Sequence, residues 1–579
     1  MVNSANTPTV HGTAVAGCVG AETNNGIGIS SIGYDCSLLG YNLNPEYPEW
    51  ISSMLKLSLS GAKIVNASFA ICLYSESVQK VMYLIRDNGT LIIAGAGNGG
   101  SPPGCTPNCY RYPASYDGVI SVSSVYQNDS HEGPGGLIHT HNDKVDVCAP
   151  GYDVISTTFD NQYRPIYYYV TGTSFATPIV AGLAGLVFSI IPDAPPALVE
   201  GIIELTCDNI DNINPNYAGL LGNGRINAYE AVSTAWDIST TSTQPIIISN
   251  GQNITLEGAD GIKIINDYIK VCTGGTLTVK SKLFFKENAK IMVEPGGLLI
   301  IDGGLLTTYN NSYLWEGIEL WGDVNQSQLT PETQAKIELK NSARIEYAKI
   351  AVGTFRKYNE FLSIASGGII MADTAIFYNN KVSIDMWPYE NHHPISGEIF
   401  SNLSYFKNVR FNKTEYFFET FTNDVFVKLT GVRGIDFKGC EFENIFSVNA
   451  YTETWTSELG IGIYSVNSSF KVDYLCLTQQ SPCDDYKPSM FNALYYGIYA
   501  INSLTDKTFS VLNTKFGVHR NYNGFPNSEG VLKGIYASGF DNVNLSNNEI
   551  NLPLTYTTES YGIFLIIAQT IALAITIFP

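Results

Sequence analysis

Three short stretches carry residues whose types and spacing suit nucleophilic chemistry. "HGTAVAG" puts His11 ahead of a small-residue helix, and "LIIAGAGNGG" ends an apolar strand on Asn98. "GTSFATPIVAGLAG" puts Ser174 at a helix start, with Pro178 in the first turn. Taken singly, each has a plain reading: a capping or solvent histidine, a turn-forming asparagine, an N-cap serine. Taken together they supply the parts of one reaction. A serine hydroxyl is a poor nucleophile until a base takes its proton, and imidazole titrates in the right range. A tetrahedral oxyanion needs fixed donors, which a backbone N–H at the Ser174 helix start and the Asn98 amide can provide.

These segments closely resemble those of the subtilisin-like serine proteases, or subtilases. "HGTAVAG" matches their histidine motif, "AGAGN" the oxyanion motif and "GTSFATPIVAG" the serine motif. "RYPASYDGVISVSSV" and "DVCAPGYDVIST" match framework segments, and "GNGRINAYEAV" matches the end of such domains. The resemblance covers residues 1 to about 236. It implies that His11 is the general base, Ser174 the nucleophile and Asn98 the oxyanion donor of a serine endopeptidase. The substrate would be a protein or peptide, cleaved through an acyl-enzyme.

The resemblance also implies a pocket for the residue before the scissile bond, with Ser68, Phe69, Ala96 and Gly97 as substrate-binding residues. Phe69, Ala70 and Ile71 stand where the family commonly has glycines. Arg111, just before "YPAS", falls near the pocket floor and there would favour an acidic side chain. The alternative is a solvated arginine on the loop bounded by Cys105 and Cys109. "ETNNGIGIS" resembles a calcium-binding loop with Asn25 and carbonyls as oxygen ligands. No other cofactor is implied.

One part of the family pattern is missing. Its orienting aspartate belongs on a strand upstream of the histidine motif, yet the ten residues before His11 contain no acid. Asp35, Asp117, Asp143, Asp146 and Asp153 lie in segments matching other parts of the pattern. Asn98 argues against the serine carboxyl proteases, which carry aspartate there. One expectation is a fragment of a longer product with its acid upstream. The other is a non-catalytic adhesive or carbohydrate-binding surface protein with a degenerate protease domain. Without the acid, turnover is expected to fall by about 10⁴.

The elements that must position these residues fall into two regions. Over 1–236, apolar strands such as "AKIVNASFA" alternate with helical stretches such as "SESVQKVMYLIRDNG". That predicts an α/β domain, a parallel sheet with helices on both faces. Residues 237–246 read as a Ser/Thr-rich linker. Over 247–579 helical periodicity gives way to short strands, and Gly-Ile-aromatic recurs at Gly462, Gly497, Gly534 and Gly562. Repeats of roughly 25–40 residues predict an all-β domain, a parallel β-helix, with an immunoglobulin-like sandwich array as the competitor. The uncharged tail 561–579 starts in phase with the repeat and so reads as one more coil, against a membrane segment.

A chain of 579 residues needs at least two cores. A net charge of −20 excludes nucleic acid as a partner. Cys105–Cys109 and Cys476–Cys483 are candidate local disulfides, consistent with an extracellular or bacterial cell-surface location. "WEGIELWGD" resembles modules of large bacterial surface proteins, which implies possible polysaccharide or cell-surface contact through the solenoid. Trp315 and Trp321 would stack on sugars or pack in the core, while His392 and His393 read as loop residues. The opening "MVNSANTPTV" lacks the pattern of a signal peptide.

Overall fold

The computed structural model describes residues 10–41, 49–100, 106–240 except 161, and 244–414 except 331, 359, 360 and 364. It also describes 417, 421, 425–445, 460–478, 483–517 except 505, 533–540, 542–551, 561–566 and 570–578. The chain divides into two compact units, Met1–Thr241 and Ser242–Pro579.

The first unit is an α/β fold around four parallel strands in the order β1 (Ile64–Ala67), β2 (Leu91–Gly95), β3 (Val119–Val125), β4 (Val147–Pro150). Strands β2 and β3 are buried along their whole length, as expected where helices cover both faces of a parallel sheet. On one face, Ile92 and Ala94 pack with Trp50 and Met54 of α2 (Glu49–Leu59) and with Val78, Met82 and Ile85 of α3 (Glu76–Asp87). The other face carries α4 (Thr173–Ile190), whose run of alanines and glycines lets it cross the sheet closely. Helices α5 (Pro196–Leu205) and α6 (Ala228–Thr240) pack beside it.

Helix α6 occupies the start of the expected linker, and the next strand begins at Ile246. Ser239 Oγ and Thr240 Oγ1 donate back to the Trp236 carbonyl at 2.8 and 2.9 Å. Satisfied in this way, Ser and Thr extend a helix that their composition would end.

The second unit is all-β. Among the described residues it forms parallel sheets of 11 and 20 strands. In the first, Ile269 pairs with Ile291, Ile291 with Ile318, and the column continues through Ile463, Ile498 and Ile535 to Ile563. In the second, Phe411, Phe442, Phe491 and Phe516 stack ring on ring at 4.5–4.8 Å. A Cβ at Gly462 or Gly497 would lie 2.5 or 2.7 Å from the carbonyl oxygen of the next glycine in its column. That closeness explains the recurring Gly-Ile-aromatic pattern. Immunoglobulin-like sandwiches are antiparallel, so the parallel register overturns that competitor.

The apolar tail follows the same register. Tyr561–Ile566 pairs with Lys533–Ser538, and Thr570–Phe578 with Asn542–Asn551, so these residues are strands and not a spanning helix. Trp315 is fully buried against Phe285 and donates from Nε1 to the Glu346 carbonyl at 2.7 Å. Trp321 is half-buried beneath the Arg356 guanidinium. Cys476 and Cys483 are disulfide-bonded, whereas the Cys105–Cys109 pairing lies outside the described residues.

Candidate active site

His11 lies in the first turn of α1 (Val10–Gly20), which packs Ala14, Val15 and Cys18 against Phe175 of α4. The hairpin of β5 (Val154–Phe159) and β6 (Pro165–Val170) holds α1 from the other side. Ser156 Oγ and Thr157 Oγ1 donate to the carbonyls of Ala14 and Thr13. A Cβ at Gly17 would sit 2.6 Å from Ser156 Oγ, which accounts for the glycine closing "HGTAVAG". The His11 ring lies 5.5 Å from that of Phe175, the residue after Ser174. Desolvation lowers the His11 pKa, so the ring stays neutral to a lower pH than a free imidazole.

Helix α4 begins immediately after Gly172, whose φ of 150° favours glycine. Pro178 lacks the N–H that would bond to the Ser174 carbonyl four residues back. Ser68 Oγ fills that position, donating to Ser174 O at 2.8 Å, while Ser174 Oγ donates to Ser68 O at 3.3 Å. This reciprocal pair ties the nucleophile candidate to the end of β1. No hydrogen bond joins Ser174 to His11 among the described residues. Such bonds are often long or absent before substrate binds.

Asn98 is clamped from the same turn. Its Oδ1 accepts from the Thr173 N–H at 2.8 Å and from Thr173 Oγ1 at 3.0 Å. Because a backbone N–H can only donate, the carboxamide oxygen must face Thr173, which leaves Nδ2 beside Gly172, 3.1 Å from where a Cβ would lie. Gly97 N in turn donates to Thr173 Oγ1 at 3.2 Å. The Ser174 N–H, in the first helical turn, has no intrahelical acceptor. Thr173, which the sequence reading passed over, is therefore the residue that orients the segment. Its place between the glycine and serine of "GTS" was the available signal.

Ser68 and Phe69 follow the end of β1 and Ala96 and Gly97 the end of β2, with Phe69 edge-on to Trp50 at 5.4 Å. Ser68 and Phe69 also line a cavity of about 960 Å³ that His11 shares, along the outer edge of β1; Ala96 and Gly97 do not. Arg111 is 1% exposed, which overturns its reading as a solvated residue. His131, His139 and His141, also missed, form a buried cluster behind Gly97, linked through the Thr140 N–H to the Gly97 carbonyl at 3.0 Å. Desolvation pushes His131 and His139 down to about 4.

Among the described residues no carboxylate contacts the His11 ring. None of them forms a group of three or more His, Cys, Asp or Glu able to hold a metal. The Asn25 carboxamide oxygen accepts the Ile27 N–H at 2.9 Å, so this loop offers mainly backbone carbonyls.

A family model described as "Subtilase family" matches residues 3–224. Thermophilic serine proteinase of Bacillus sp. (strain AK1) is 32% identical over 228 residues, 38% of this chain and 52% of that protein. The chain thus spans about half of that relative. Subtilisin DY of Bacillus licheniformis is 29% identical over 34% of this chain and 71% of its own length. Thermitase of Thermoactinomyces vulgaris is 33% identical over 227 residues, 38% of this chain and 74% of its own length. With that extent of likeness, and with the histidine, asparagine and serine segments gathered around one helix start, the chain belongs to the subtilase family.

Proposed function

We propose that the first unit is a serine endopeptidase acting on proteins or peptides through an acyl-enzyme. The observation that carries this reading is the turn at Gly172–Ser174, where Asn98 and the start of α4 are locked together by Thr173. Ser174 Oγ attacks the substrate carbonyl carbon as its proton passes to His11. The carbonyl electron pair moves onto oxygen, held by Asn98 Nδ2 and the Ser174 N–H. Collapse expels the amine, which takes the proton from His11, and water then hydrolyses the ester. Gel-based labelling with a fluorophosphonate tests the reading. Ser174 should react in the full chain and Ser174→Ala should not; an unreactive wild type would refute it.

That no carboxylate among the described residues contacts the His11 ring supports a second reading, a non-catalytic surface protein that retains the scaffold. Without a carboxylate to set tautomer and orientation, peptide turnover by this sequence is expected about 10⁴-fold below that of a complete triad. Fluorophosphonate reactivity separates the two readings, since a scaffold has no reason to keep an activated serine. We further infer that the stacked strands of the second unit form a parallel β-helix, supported by the column of paired residues from Ile269 through Ile318, Val352, Ile384 and Val427 to Ile563, interrupted by one bulge at Gly317–Ile318. An extracellular or surface location is supported by the Cys476–Cys483 disulfide.

A further inference from the structure

We propose that Arg111 makes the site selective for acidic substrates, its guanidinium receiving the carboxylate of the residue before the scissile bond. This rests on the serine-peptidase reading and names its substrate class. Arg111 is wholly buried, and its Nε has no hydrogen-bond partner. Its Nη2 donates to the Gly99 carbonyl at 2.8 Å, and its Nη1 to Cys72 Sγ. A guanidinium carries five N–H donors, and sulfur is a weak acceptor. Among the described residues no aspartate or glutamate pairs with it, and neighbouring residues 101–105, "SPPGC", carry no acid. A buried cation without a counter-ion is costly unless something supplies the anion.

Its position says what would supply it. The stem runs beneath Gly97, where a Cβ would lie 3.0 Å from Arg111 Cγ and 3.4 Å from Nε. Thr140 Oγ1 would lie 3.0 Å from the same point, and it too is buried without a partner. Two hydrogen bonds of 2.8 Å between Ile71 and Tyr112 fix Arg111 against the Ser68–Cys72 segment. Two unmatched donors thus converge between the two segments expected to flank the substrate side chain. Cys72 is exposed and forms the outer contact of the guanidinium, so a carboxylate oxygen arriving from solvent replaces a weak acceptor with a strong one.

Binding requires no turnover, so fluorescence polarisation with N-fluoresceinyl-Ala-Ala-Pro-Xaa amides tests the idea on the full chain. The glutamate peptide should bind at least about tenfold more tightly than its glutamine isostere, the scale of a charge-assisted hydrogen bond. Arg111→Met should bring the two within about twofold of each other. Because that variant alters packing, the wild-type comparison stands alone, with fluorophosphonate labelling as the check on the variant. Equal binding of glutamate and glutamine peptides, or tightest binding of alanine because the stem fills the pocket, overturns the proposal. Labelling of Ser174 without a glutamate preference sinks this inference alone. A glutamate preference without labelling sinks the peptidase reading and with it the role in selectivity.

Discussion

Asn98 does two things with one carboxamide. Its oxygen caps the start of α4 through Thr173, and in the proposed mechanism its nitrogen meets the developing oxyanion. The two can be separated, because Asn98→Asp keeps an acceptor for the Thr173 N–H while it removes the donor and sets a negative charge in its place. The expected outcome is a thermal midpoint close to wild type with fluorophosphonate labelling of Ser174 slowed by about 10²–10³. If labelling is unchanged, Asn98 is a cap and nothing more. The Ser68–Ser174 pair shows the same economy, since Pro178 frees one carbonyl and thereby creates the contact between Ser174 and the segment after β1.

At the scale of elements, the loop carrying His131, His139 and His141 makes the first unit sensitive to acid. His131 Nδ1 lies 3.0 Å from the Ser124 carbonyl, to which a neutral ring donates, and its Nε2 lies 3.2 Å from both His141 Nδ1 and the His139 carbonyl. His139 pairs with Ser124 Oγ and stacks on Tyr152 at 4.4 Å. Desolvation holds His131 and His139 to about 4 in the fold, against about 6.5 in the unfolded chain. Between those values the unfolded state binds more protons, so their contribution is fully present above pH 6.5 and is lost as pH falls toward 4. Each costs up to about 1.4 kcal/mol per pH unit in that window. Thermal midpoints from pH 7 to 4 should fall, and His139→Gln should make the fall shallower. An identical slope in the variant would remove these histidines from the explanation. The three family motifs were legible in the sequence because each is a local string recognised from its neighbours in the chain. The histidine cluster was not, because it depends on a loop folding back behind Gly97. Nor was the end of α6, where hydroxyls bonding to the Trp236 carbonyl continue a helix through residues that read as linker.

At the scale of the molecule, two compact units with separate cores, joined near Thr241, should unfold as two transitions in calorimetry. A fluorophosphonate bound at Ser174 should raise only one of them; a single shared transition would show that the cores are coupled. The repeat in 247–579 was legible because Gly-Ile-aromatic returns in phase, although which strands pair follows only from the register. The column through Ile463, Ile498 and Ile535 has a consequence for how such a chain can change over time. Inserting one residue within a strand turns its inward side chains outward. Duplicating or deleting a whole layer leaves every inward position facing its counterpart, so length is free to vary in steps of a layer while sequence within a layer is held.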